Sequence, residues 1–246
     1  MSILCYHSVS DGWDWTYGVT TKAFDKHCSW LASRGSTIDL VDAVGRMSSS
    51  GRLSDGAVGI TFDDGLSDVF DHAFPTLATY RLPATIFVVT KTLVDGNAGV
   101  DWIDEPFLSP PRALTRDQVL EMREAGIRFG SHSHTHAALT TLSDEECERE
   151  LSESREVLED ILSTPVSFLA YPRGLESERV RRAARRAGFS HAFRTAKRSN
   201  AIDPYALPRV VVRRGDTQRK VRRKTSWWYS EVRTGRAALV SHRRTR

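Results

Sequence analysis

Along most of the chain, short runs of consecutive apolar residues alternate with longer stretches in which apolar positions recur every three or four residues. ILCYHSV (3–9), TID (37–39), AVGITF (57–62), ATIFVVT (84–90), IRFGSH (127–132), VSFLAYP (166–172), HAFRT (191–195) and LPRVVV (207–212) read as strands. Runs that stay apolar at consecutive positions are what a parallel sheet covered on both faces requires. The stretches between them read as helices with legible ends. In TTKAFDKHCSWLASRG (20–35), Phe24, Cys28 and Leu31 share a face, threonine opens the pattern and Gly35 stops it. Thr115 with Gln118 and Ser143 with Glu146 have capping-box spacing, and Gly126 and Gly188 stand where helices should end. Pro75, inside SDVFDHAFPTLATYRL (67–82), is expected to kink or divide its helix.

Strands separated by helices predict right-handed βαβ units. The expected fold is therefore α/β: an incomplete (β/α) barrel of seven or so mainly parallel strands, with an open doubly wound sheet as its rival. In both, chemistry gathers at the C-terminal ends of the strands. SSSGRLSDG (48–56) reads as a loop. The long connection from Lys91 to Ala113, with Trp102, Phe107 and the Pro110-Pro111 pair, is placed to wall a cleft, and Trp102 is the candidate sugar-stacking ring.

With 246 residues, 40% of them hydrophobic, the chain can bury a full core. The net charge of +4 is unevenly spread: residues 209–246 hold 13 Lys and Arg against Asp216 and Glu231, so the body is acidic and the tail basic. Cys5, Cys28 and Cys147 are odd in number and far apart, which argues against a disulfide framework or a zinc finger and reads as core-filling thiols in a reducing compartment. The opening residues have no secretory pattern and no run approaches a membrane span, so a cytoplasmic protein is expected.

Two clusters carry candidate chemistry. Asp63 and Asp64 follow an apolar run, where adjacent side chains on extended backbone diverge, so one carboxylate can hold a metal while the other faces a water. His132, His134 and His136 fall within five residues in a chain with eight histidines, again after a strand-like run. Spacing alone leaves the pairs 132/136, 132/134 and 134/136 open. Three nitrogen or oxygen ligands with one open position would make a catalytic site. A G-x-S-x-G elbow and a glycine-rich phosphate loop are absent, which argues against a nucleophilic serine or a nucleotide-binding loop.

TFDDG (61–65), SHSHTH (131–136) and AYPRG (170–174), in that order, resemble the polysaccharide deacetylase family, carbohydrate esterase family 4. The resemblance runs from the first strand to about Val212. It implies a distorted (β/α) barrel and metal-dependent removal of acetyl from an N-acetylated sugar. By position it makes Asp64, His132 and His136 the ligands of one divalent ion, zinc first and cobalt, nickel or iron(II) as alternatives, and leaves His134 outside the set. It makes Asp63 the general base, and puts an oxyanion donor in AYPRG at the Arg173 N–H, with Tyr171 beside it. The Leu-x-His motif that supplies the general acid in many members is missing. LCYHSV (4–9) instead resembles the first strand of a circularly rearranged branch that includes poly-N-acetylglucosamine deacetylases, and this match makes His7 the candidate acid. The base-orienting arginine of many members is Ala170 here, with Arg209 as the replacement candidate from another strand; the Asp-x-x-Asp-Trp signature is also absent.

The expected division is a catalytic domain over 1–212 and a basic extension over 213–246. The extension interleaves arginines with Trp227, Trp228 and Tyr229; it reads as a charged tail whose tryptophans dock on the barrel or a second subunit, with peripheral contact at the inner membrane face as the next use and no nucleic acid expected. The compartment favours a small, lipid-linked or metabolite glycoside over a wall polymer as substrate. The rival readings are a metal-dependent hydrolase of another C–N or ester bond, and a catalytically silent glycan-binding module.

Overall fold

A computed structural model describes residues 2–50, 56–96, 99–103, 110–195 and 203–226. Seven strands, all parallel, close a barrel in the order β1 (Ser2–Tyr6), β4 (Val58–Phe62), β5 (Thr85–Val88), β6 (Arg128–Ser131), β7 (Phe168–Ala170), β8 (His191–Thr195) and β9 (Leu207–Val211), with β9 returning to β1. A separate parallel pair, β2 (Ser8–Val9) and β3 (Gly18–Val19), lies beyond the end of β1.

The expected strands therefore form, with two differences. TID does not become a barrel strand: Thr37 makes a single bridge to Val58 at the start of β4, and further along β4 it is β5 that pairs, at Thr61 and Phe62. ILCYHSV breaks at His7, between β1 and β2.

The shell consists of α1 (Thr21–Arg34), α2 (Leu40–Ser50), α3 (Phe74–Tyr80), the short α4 (Lys91–Val94), α5 (Arg116–Glu124), α6 (Asp144–Leu162), α7 (Glu178–Arg186) and α8 (Gln218–Lys224). Helix α1 begins at its Thr20 cap and ends on Gly35 at φ 60°. Both expected capping boxes are present, at Thr115/Gln118 and Ser143/Glu146. Residues 48–50, read as loop, are the last turn of α2. Pro75 divides its helix as expected. A π-helical turn, Val69–Ala73, precedes it, and the Phe74 N–H reaches back to the Val69 carbonyl, because proline can neither donate to the preceding turn nor fit against it.

Strand parity sorts the core. One set of side chains, including Leu4, Tyr6, Ile60, Phe62, Ile86 and Leu169, meets the helices. The other set faces inward, where Ile3, Phe87, Phe168, Phe193 and Leu207 fill one part of the barrel. Gly130 is glycine for reasons of space: a Cβ there would stand 2.7 Å from the Phe87 ring and 2.9 Å from the Phe168 carbonyl. The same inward parity brings Cys5, Thr61 and Arg209 toward the C-terminal mouth. Residues 213–226 pack on the barrel wall through α8 against α1, with Val221 buried and Ser2 donating to the Thr225 carbonyl. Trp227, Trp228 and Tyr229 lie outside the described residues. Among those residues no helix is long and apolar enough to cross a membrane.

Candidate active site

At the end of β4 the chain turns at once: Asp63 still donates its N–H to the Tyr6 carbonyl at 2.9 Å, while Asp64 and Gly65 take φ of 69° and 64°. The turn sends the two buried carboxylates to different surroundings. Asp63 faces the barrel interior and meets Arg209 in a bidentate pair, Nη1 to Oδ1 at 2.5 Å and Nη2 to Oδ2 at 2.7 Å. Arg209 is fully buried, also donates to Thr61 Oγ1 at 3.2 Å, and lies 5.2 Å over the Phe87 ring. Burial alone would raise the Asp63 pKa; the guanidinium outweighs it and holds the carboxyl well below the usual carboxylate range. The Cys5 thiol donates to Asp63 Oδ2 at 3.3 Å. His7 stands in the same group, with one donor atom each from Cys5, His7 and Asp63 within 4.8 Å of one another. Its ring stacks on Tyr17 at 4.8 Å and meets Trp15 edge-on at 5.8 Å, and its Nδ1 is buried without a partner.

Asp64 turns to the loop after β6. That loop is held by its own serines and by α6. Ser131 Oγ accepts from the Ser133 N–H and Ser133 Oγ from the His136 N–H, while Glu150 accepts from the N–H groups of His134 and Thr135. With this scaffold Ser133 and His136 hold left-handed backbone, φ 65° and 63°, a conformation that costs a non-glycine residue about 1 kcal/mol or more. The result separates the three histidines. His134 turns away, to Thr90 at 3.0 Å and Glu153 at 3.5 Å. His132 and His136 point their Nε2 atoms at Asp64 Oδ1, from 3.6 and 3.4 Å.

The His132 tautomer follows from its other nitrogen. Nδ1 lies 2.8 Å from the Ala170 carbonyl, which can only accept, so Nδ1 carries the proton and Nε2 presents a lone pair. Burial, first among the causes, lowers the His132 pKa to about 4 and keeps it neutral. A lone pair facing a carboxylate oxygen is repulsive unless a cation lies between them. Separations of 3.4 and 3.6 Å are also what two donors on one tetrahedral ion require when the bonds are ~2.1 Å. Asp64, His132 and His136, all buried and with donor atoms within 4.8 Å of one another, thus fit a divalent cation. Trp102 covers them: its Nε1 donates to Asp64 Oδ1 at 3.2 Å and its ring stacks on His136 at 5.2 Å.

AYPRG forms a tight turn after β7. Arg173 has φ 60°, its side chain is exposed, and among the described residues no protein acceptor takes its N–H. Gly174 follows at φ 64°, and any Cβ there would stand 2.1 Å from the Thr195 hydroxyl. Tyr171 is different. Its hydroxyl donates to the Tyr205 carbonyl at 2.9 Å and its N–H to the Phe193 carbonyl at 3.0 Å, so neither group is free to hold a substrate oxygen; the run that makes a strand end also buries its last aromatic ring.

Sequence reasoning missed three contributors. Cys5, read as core filling, has its thiol on Asp63. Trp15 and Tyr17 frame His7. Inward parity within β1 was the available signal for Cys5, because positions 3 and 5 share a face. Nothing in the sequence signals the two rings, whose position depends on the β2–β3 pair.

A family model described as polysaccharide deacetylase matches residues 50–192. The YxkH protein of Bacillus subtilis is 29% identical over 218 residues, covering 87% of this chain and 72% of that one. The poly-β-1,6-N-acetyl-D-glucosamine N-deacetylase of Staphylococcus epidermidis is 26% identical over 207 residues, covering 80% of this chain and 68% of its own. The fold is shared with the Streptococcus pyogenes deacetylase PplD in complex with acetate, at a TM-score of 0.78 and 23% identity over 92% of this chain and 98% of that one. This chain belongs to the polysaccharide deacetylase family.

Proposed function

We propose that the protein removes acetyl from an N-acetyl amino sugar with Asp64, His132 and His136 holding one divalent cation, zinc foremost, Asp63 as general base and His7 as general acid. Membership of the family makes it a carbohydrate N-deacetylase, a hydrolase. The observation that supports these roles is the split between neighbouring carboxylates: one saturated by Arg209, the other opposite two imidazoles.

When bound, the cation supplies Lewis acidity to water and to the acetyl carbonyl. Asp63, kept ionised and oriented by Arg209, is in the form that can accept the proton of the attacking water. The same pairing lowers its basicity, and the water acidity that a bound cation would supply would offset this. The Arg173 N–H donates to the oxyanion that forms on the acetyl carbon. His7, with its Nδ1 uncommitted and its ring fixed by Tyr17 and Trp15, delivers a proton to the departing amine. Trp102 excludes water from the Asp64 side and gives the sugar a flat edge.

Three buried, free cysteines support a cytoplasmic setting, and the basic segment that begins at Arg213 supports contact with the inner membrane face. The test is acetate release from β-1,6-linked N-acetylglucosamine oligomers, first because the staphylococcal relative is named for that polymer, against a panel of other amides and esters. Release confined to N-acetylated sugars is the expected result. Preference for another amide or ester favours the broader hydrolase, and no turnover by the metal-loaded protein favours a silent binding module.

A further inference from the structure

The helix α1 and the segment that follows β9 enclose a groove of about 570 Å³ that the chemistry above does not use, lined by Lys22, Lys26, Arg214 and Arg219 among others. Its charge is one-sided. The lining's acid, Asp216, is buried and already takes Lys220 and Lys224. Arg214 pairs with the exposed Asp14, whereas Lys22, Lys26 and Arg219 have no carboxylate partner among the described residues. Cations gathered in a concave site raise the local concentration of anions.

Position joins this groove to the catalytic end. Residues His7, Asp63 and His132 directly follow β1, β4 and β6, and the groove's arginine segment directly follows β9, parallel to all three in the barrel. The contacts between are continuous: the Tyr17 ring lies 4.8 Å from the His7 ring, and the Arg213 guanidinium lies 5.7 Å over the Tyr17 ring. Arg214, the next residue, reaches the Trp13 carbonyl at 2.6 Å and enters the groove lining.

We infer that the groove receives the phosphate or diphosphate of the substrate, so that the sugar deacetylated is an N-acetylamino sugar phosphate ester and not a neutral polymer. This rests on the deacetylase reading and narrows its substrate class. Lysine and arginine suit phosphate oxygens through charge-assisted hydrogen bonds, and Tyr17 with Arg213 links His7 to the Arg214 that lines the groove.

The test uses the full chain loaded with zinc and compares acetate release from N-acetylglucosamine 1-phosphate, a nucleoside-diphosphate-linked and a prenyl-diphosphate-linked N-acetylglucosamine, and a neutral N-acetylglucosamine oligomer. The wild type is expected to show kcat/KM at least about tenfold higher on a phosphorylated substrate, with the best of the three naming the carrier. Replacing Lys22, Lys26 and Arg219 by Glu, and separately by Gln, is expected to raise KM for that substrate about tenfold or more with kcat and neutral-oligomer kinetics unchanged. Calorimetry with pyrophosphate reads the groove without turnover and is expected to lose its signal in both triple variants. Unchanged pyrophosphate binding, an unchanged KM, or a wild-type preference for the neutral oligomer overturns the inference. Pyrophosphate binding that needs Lys22, Lys26 and Arg219 in a protein that deacetylates nothing keeps the groove and sinks the deacetylase reading instead.

Discussion

Asp63 and Asp64 are neighbours in sequence, equally buried, and opposite in their surroundings. Asp63 has a resident cation, Arg209, on both of its oxygens, and a thiol beside them. Asp64 has two imidazole nitrogens and an indole N–H converging on a single oxygen. Removing the arginine would leave one carboxylate unpaired inside the barrel, whereas the other is arranged for a cation that comes from solution. A strand-end turn with φ positive at Asp64 is what separates them. One position in sequence thereby separates a carboxylate held by a resident arginine from one that faces two imidazoles.

The strongest way to break this contrast is on the Asp64 side. His132→Ala or His136→Ala is expected to bring bound metal after dialysis to well under one per chain and to lower acetate release at least about a thousandfold, since electrophile and water acidity leave together. On the Asp63 side, Arg209→Met is expected to cost about 3–5 kcal/mol in denaturant unfolding by stranding a buried charge. Adding Asp63→Asn to it should recover much of the stability and none of the turnover. Smaller again is Trp102→Phe, which keeps the stack on His136 and deletes the hydrogen bond to Asp64. Its cation affinity, titrated with a competing chelator, is expected to fall about tenfold with little change in unfolding midpoint.

A third buried carboxylate, Asp68, has neither kind of cation beside it. Asp68 accepts from Ser8, yet its Oδ1 has no partner, and burial raises its pKa to about 7. An unfolded aspartate ionises near ~4. Between those values the folded chain holds a proton that the unfolded chain has released, so stability falls as pH rises through the window. Asp68→Asn, which does not titrate, is therefore expected to gain about 1 kcal/mol or more on the parent between about pH 5 and about pH 8, measured by chemical denaturation.

The barrel was legible because its strands are unbroken apolar runs, and seven of the eight proposed strands join it. TID failed because three residues with one apolar position look alike whether they pair along a strand or form an isolated bridge at Val58. Residues 48–50 were hidden by serine and glycine, whose turn preference gave way to the helix that Leu40 anchors against Gly59. At the site, the order of TFDDG, SHSHTH and AYPRG pointed to the residues that meet, and Arg209 could be nominated from a strand far along the chain. Tyr171 could not be judged correctly, since which way a residue faces at the end of β7 depends on register with β8. The choice among the three histidines needed the resemblance, because the serine and Glu150 contacts that turn His134 away are tertiary.

The most direct measurement is metal content and turnover of two isosteric variants side by side, Asp63→Asn and Asp64→Asn, purified and loaded identically. Asp63→Asn is expected to retain one divalent ion per chain while acetate release falls about 10²- to 10⁴-fold, and Asp64→Asn to lose the ion and the activity together. Equal metal loss in both variants, or full turnover by Asp63→Asn, would contradict the division of labour between the two carboxylates.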